Sequence, residues 1–206
     1  YDLALNFMES SRQKYEQLEM RIQSANCELE IADIYLELNL LPEAASFYET
    51  AGSRFAELGM QAELARCSLN NARTLIRLGS TSAAADELDR AERFYDNETN
   101  LVAAGSVNLV RSQMLFDLGD LASAEIQNEK AIAAFETGEN IRLLLFARWL
   151  RAEIWVKLGL IKNAAAELKD TLEIAERLST QAEYLCRVLL GKLTGDETHL
   201  LEAIDI

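Results

Sequence analysis

The sequence predicts an all-α fold of repeated helical hairpins, and three observations carry that prediction. Half of the 206 residues are apolar, 26% are charged, and there are one proline, Pro42, and nine glycines; long helices joined by short connections require such a composition. Leu38-Asn39, Leu78-Gly79, Leu118-Gly119 and Leu158-Gly159 recur at a constant interval of 40 residues with no gap. Within each interval a helical run of about 18 residues reaches the stop, and a second run of about 16 follows.

The elements follow in order. Residues 1–20 align with 41–60, matching Ala4 to Ala44, Phe7 to Phe47 and Tyr15 to Phe55, and read as a second helix without its first. Residues 21–60, 61–100, 101–140 and 141–180 are four full units, each a helix, a stop and a helix. The stop column holds Asn39, Gly79, Gly119 and Gly159 because a helix C-terminus needs a left-handed residue there, which Gly supplies freely and Asn tolerates. Ala32, Ala72, Ser112 and Ala152 precede the stop by seven residues, and Ala44, Ala84, Ala124 and Ala164 follow it by five. These small pairs are expected to face each other where the two helix axes approach most closely. Phe55, Tyr95 and Phe135 fill the space before the next unit, and Ala175 breaks that column, so the fourth junction is expected to pack differently. Residues 181–206 form a shortened terminal unit whose Thr194-Gly195 arrives about one helical turn early. The whole of 1–206 reads as one repeat domain, expected to be a segment of a longer protein because Leu200, Leu201, Ile204 and Ile206 form an apolar face.

A small residue, then Tyr35, Leu75, Leu115 or Trp155 three positions later, then the stop, then alanine five beyond it: this arrangement resembles the tetratricopeptide repeat (TPR) family. The interval is longer than the common form and the closing proline is missing. The units therefore look like the variant repeats found beside signalling and regulatory domains in bacteria and in kinesin light chains. The resemblance implies a right-handed α-solenoid whose first helices line a concave, partner-binding side. It does not extend to the Lys and Asn clamp with which some members hold acidic chaperone tails, since Leu29, Asp33, Leu69 and Arg73 stand there.

Several function classes are disfavoured. A net charge of −14 repels phosphate backbones, and no polybasic membrane footprint is present. The most apolar tract, 141–161, carries Arg142, Arg148, Arg151, Glu153 and Lys157, which a bilayer core would not accept. Cys27, Cys67 and Cys186 form no disulfide framework, which points to a reducing, cytoplasmic setting, and the Asn97-Glu98-Thr99 sequon has no visible signal peptide to make it usable. No metal, cofactor or catalytic constellation is expected: His199 is the sole histidine, the thiols occupy repeat columns, and Glu28, Glu30, Asp33 and Glu37 read as a solvated acidic face.

The expected function is a scaffold that binds a peptide or partner protein in its groove. The groove face is expected to carry Leu29, Asp33 and Leu36, then Leu69, Arg73 and Arg77, then Leu109 and Phe116, then Phe146, Trp149, Glu153, Val156 and Lys157. Leu29, Leu69 and Leu109 are expected mainly to pack neighbouring first helices together. Phe116, Phe146 and Trp149 are the candidate anchors, Arg73 and Arg77 the candidate carboxylate clamps, and Glu153, Lys157 and Arg148 further partner contacts. Residues 21–60 carry two basic and seven acidic side chains against seven and five in 141–180, so an acidic or mixed-charge partner is expected nearer the fourth unit, through Arg142, Arg148, Arg151 and Lys157. Self-association through exposed repeat ends is a second expectation. The alternative implied by the resemblance is a regulatory arm of a larger signalling enzyme, a CHAT-type protease or an ATP-dependent regulator, with its catalysis outside this segment.

Overall fold

The computed structural model describes residues 2–98 and 100–206, and the described residues form eleven α-helices and no strand. The chain divides into two compact units, Tyr1–Thr99 and Asn100–Ile206. Unit 1 contains α1 (Asp2–Gln17), α2 (Arg21–Glu37), α3 (Leu41–Glu57), α4 (Gln61–Arg77) and α5 (Thr81–Tyr95); unit 2 contains α6 (Leu101–Asp117), α7 (Leu121–Thr137), α8 (Ile141–Lys157), α9 (Ile161–Leu178), α10 (Thr180–Thr194) and α11 (Glu197–Ile204). The four full hairpins are α2/α3, α4/α5, α6/α7 and α8/α9, and α10/α11 is the shortened one. First helices run 17 residues, and second helices 15 to 18, so the two arms of a hairpin are more nearly equal than the sequence pattern suggests. The Asn97-Glu98-Thr99 sequon ends on Thr99, outside the described residues.

The small-residue columns are where the hairpins close. All eight of their members are fully buried at 0% exposure. The facing is direct in α6/α7, where the Ser112 hydroxyl donates to the Ala124 carbonyl at 2.8 Å. A larger side chain at either position would push the axes apart, and a buried hydroxyl here is satisfied rather than orphaned.

The stops adopt the left-handed backbone that their residue types require, with φ of 60° at Asn39 and 76° to 81° at Gly79, Gly119 and Gly159. A second left-handed series follows α1, α3 and α7, at Glu19 (φ 56°), Gly59 (71°) and Glu139 (53°). Glu139 carries the strain although Gly138 precedes it, because Gly138 serves packing: a Cβ on Gly138 would lie 2.6 Å from Val102 Cγ2 and 3.1 Å from the Ala134 carbonyl. Glu139→Gly is therefore expected to raise stability by about 1 kcal/mol by removing a left-handed Cβ, whereas Gly138→Ala is expected to lower it. Urea unfolding of the two variants checks both signs.

The broken column at the fourth junction is compensated across the hairpin. Phe135 packs on Gly105, where a Cβ would meet its ring at 2.9 Å. Forty residues on, Leu145 stands in the Gly105 column and Ala175 in the Phe135 column, and the two share a buried cluster with Ala182. The bulk has moved from the second helix to the first, leaving volume conserved.

Candidate functional site

In unit 1 the facing sides of α2 and α4 carry a polar network centred on Asp33. Its carboxylate accepts from the Tyr48 hydroxyl at 2.5 Å, from Asn70 Nδ2 at 3.0 Å and from Arg66 at 3.0 Å. Arg66 also reaches Glu30 at 2.8 Å, and Arg73 donates to Asn70 Oδ1 at 3.0 Å. Burial lowers the Arg73 guanidinium below its ordinary value, with Tyr48 and Asp33 opposing, and burial also raises the Tyr48 phenol. Arg77 is exposed and donates to Asn39 Oδ1 at 2.7 Å and to the Leu36 carbonyl at 3.4 Å, clasping the C-terminal turn of α2. The two arginines of the expected clamp thus sit one turn apart with their heads already engaged.

Unit 2 holds the other six expected site residues. Phe116 and Trp149 pack together with Leu109 against Ala124, Leu150 and Ile154, each aromatic ring only partly covered. Trp149 and Val156 also meet the cluster of Leu168, Leu189 and Leu190 that joins α8, α9 and α10. The indole N–H of Trp149 has no acceptor among the described residues. Glu153 is half-buried, and burial raises its carboxyl, with Lys192 of α10 and Lys157 opposing. Lys157 is exposed and Phe146 half-buried. Of the leucines expected to pack first helices, Leu29 and Leu69 are buried.

Arg148 stands elsewhere. Its guanidinium reaches Glu136 of α7 at 3.1 Å and Glu167 of α9 at 3.9 Å, alongside Arg151, which holds Glu167 at 2.5 Å. Arg148 thus bridges α7 and α9, and Arg151 pairs with α9, so two of the four cations expected to meet a partner there, Arg148 and Arg151, are already engaged within the chain. Glu28 also departs from the expected solvated face: it is 2% exposed, with Arg54 Nε at 3.2 Å and Arg12 at 4.0 Å. Lys192, absent from the expected set, joins the Glu153 surroundings; its helix is the shortened one, which hides its register in the 40-residue alignment. The three thiols are buried, and burial pushes Cys67 and Cys186 up to about 12. Among the described residues no cluster of three or more His, Cys, Asp or Glu could hold a metal, and no helix is long and apolar enough to cross a membrane.

This architecture is the fold of TPR-like helix-hairpin repeat proteins. The chain is similar to the crystal structure of a Rap protein complexed with Competence and Sporulation Factor, with 17% identity and a TM-score of 0.86 over 98% of this chain and 57% of the Rap chain. It is also similar to BtubC (BKLC) from P. vanneervenii, at 15% identity and a TM-score of 0.78 over 99% of this chain and 88% of the other. A third likeness is to the nearly identical TPR-like repeats of a Podosopora anserina putative kinesin light chain, at 14% identity and a TM-score of 0.66, covering 87% and 91% of the two chains. At these identities the likeness establishes the fold. The chain spans little more than half of the Rap protein that it matches. No protein-family model matches the sequence, and no curated protein does.

Proposed function

We propose that the chain is a protein-interaction scaffold that holds a peptide or an extended segment of a partner on its first-helix faces. The observation that carries this reading is the α6/α8 face of unit 2. There Phe116, Phe146 and Trp149 are left half-covered beside the half-buried Glu153 and the exposed Lys157. Partly covered aromatics next to a desolvated carboxylate and an exposed ammonium supply both apolar anchoring and charge selection. The likeness to a Rap protein crystallised with Competence and Sporulation Factor supports the same reading. The Asp33 network of unit 1 offers a second, hydrogen-bonded polar face, with Arg73 bonded to Asn70 and Arg77 to Asn39.

Peptides selected from a displayed random library on this chain test the proposal. Lys157→Glu and Phe146→Ala are each expected to weaken the selected peptides about tenfold, the factor that one charge-assisted contact or one aromatic anchor carries. Selected peptides indifferent to both changes would remove the reading.

A further inference from the structure

A cleft of about 530 Å³ opens in unit 1 between α3 and α5, floored by α4; ligand pockets commonly span roughly 300–1,000 Å³. Its lining includes Gly52, Ser68, Asn71, Glu87 and Arg90. Ser68 and Asn71 are 2% and 3% exposed, and Ser68 Oγ and Asn71 Oδ1 have no hydrogen-bond partner among the described residues. Buried acceptors without partners call for an explanation.

Unit 2 supplies one. Eighty residues further on, the same repeat positions are occupied by Ile132 for Gly52, Arg148 for Ser68, Arg151 for Asn71 and Glu167 for Glu87. In α7/α8/α9 the large side chains fill the space, and Arg151 delivers its guanidinium to Glu167 at 2.5 Å. In unit 1 the receiving carboxylate, Glu87, is kept, but α4 contributes no cation to it. Among the described residues Glu87 accepts only from Arg90, an exposed neighbour one turn away on the same helix, at 3.1 Å to each oxygen. A second guanidinium is no obstacle, since Glu167 itself lies near both Arg151 and Arg148. The carboxylate that meets Arg148, Glu136, is replaced in unit 1 by Ala56, so the retained chemistry suits one guanidinium rather than two.

We propose that this cleft is a receptor for one arginine side chain of a partner polypeptide, which takes the place that Arg151 fills in unit 2. Glu87 supplies the bidentate carboxylate, and Ser68 and Asn71 supply neutral acceptors beside it. The cleft shares no residue with the α6/α8 face, so its occupancy does not depend on the function proposed above.

The test titrates N-acetyl-L-arginine methylamide into the ¹⁵N-labelled chain and follows the amides of Gly52, Ser68 and Asn71. These signals are expected to shift saturably, and the uncharged citrulline analogue is expected not to move them. Glu87→Gln is expected to weaken the arginine analogue about tenfold, as loss of one charge-assisted pair would, while the melt by circular dichroism stays unchanged. Asn71→Arg fills the cleft from within and is expected to abolish the shifts; if that variant fails to fold, Glu87→Gln still decides. Unmoved amides, or equal shifts with citrulline, overturn the proposal. Free L-arginine binding more tightly than the blocked analogue would overturn the polypeptide source. Peptides selected on the α6/α8 face are expected to bind Glu87→Gln as they bind the parent, which keeps the two proposals separately testable.

Discussion

Leu145→Ala is expected to destabilise unit 2 by about 3 kcal/mol, the cost of a cavity left by a leucine in a closed core, and adding Ala175→Phe is expected to recover part of that loss. Leu145 is fully buried in a cluster with Ala175 and Ala182, so few neighbours are free to collapse into the vacated space. Alone, Ala175→Phe overpacks the same space and should cost about 1–3 kcal/mol. Together the two changes approach the arrangement one unit earlier, where Phe135 lies over Gly105, but position 145 keeps a Cβ of the kind that at Gly105 would lie 2.9 Å from the ring, which is why the recovery is only partial. The double variant should therefore be more stable than the sum of the single changes by more than about 1 kcal/mol, the size of coupling seen between residues in contact. Urea midpoints of the four proteins complete the cycle. Strict additivity would mean that bulk does not exchange between the two columns, and that the columns are not the packing unit of the fold.

That exchange marks how far the repeat could be read without coordinates. The 40-residue interval, the left-handed stops at Asn39, Gly79, Gly119 and Gly159, and the closure at the alanine columns were legible because each depends on one residue and its own backbone, or on one pair at fixed spacing. Ala175 announced a change at the fourth junction, but the answer lay at Leu145, thirty residues away in sequence, where leucine raises no flag. The second series of left-handed residues is hidden in the sequence for a related reason. Glu19 and Glu139 stand in that column, and the nearby Gly138 draws attention away from Glu139.

Charge was harder still. Whether Arg148 faces a groove or bridges α7 and α9 depends on Glu136 and Glu167, which a helix-face pattern cannot weigh. The aromatic candidates Phe116 and Trp149 follow from their columns, and both rings pack on the cluster of Ala124, Leu150 and Ile154. The unit 1 cleft was recorded in the sequence only as a contrast between Ser68 and Asn71 in one unit and Arg148 and Arg151 two units later. Only the packing of α3, α4 and α5 shows that small residues there leave an opening.

Glu28 supplies the other large effect. Its carboxylate is almost wholly buried, with Arg54 Nε at 3.2 Å, and Arg54 in turn donates to Ser24 Oγ at 2.8 Å and to Glu16 at 3.0 Å. Burial raises the Glu28 carboxyl above the ordinary glutamate value, and Arg54 is the foremost opposing influence, followed by Arg12. Arg54→Ala is expected to cost about 3 kcal/mol, the lower end for stranding a buried charge, because Arg54 is partly solvated and Arg12 remains. Because the folded-state pKa lies above the unfolded one, the folded protein binds the extra proton. Stability is therefore greatest below the unfolded glutamate value and falls as pH rises through the folded one. Removing Arg54 raises the folded value further and widens that window. The Arg54→Ala penalty should thus be smaller at about pH 5 than at about pH 8, and Glu28→Gln in the same background should relieve it at the higher pH by removing the stranded charge. A penalty equal at both pH values and untouched by Glu28→Gln would show that Arg54 acts through packing and its Ser24 and Glu16 contacts, and that the buried carboxylate is not what holds it there.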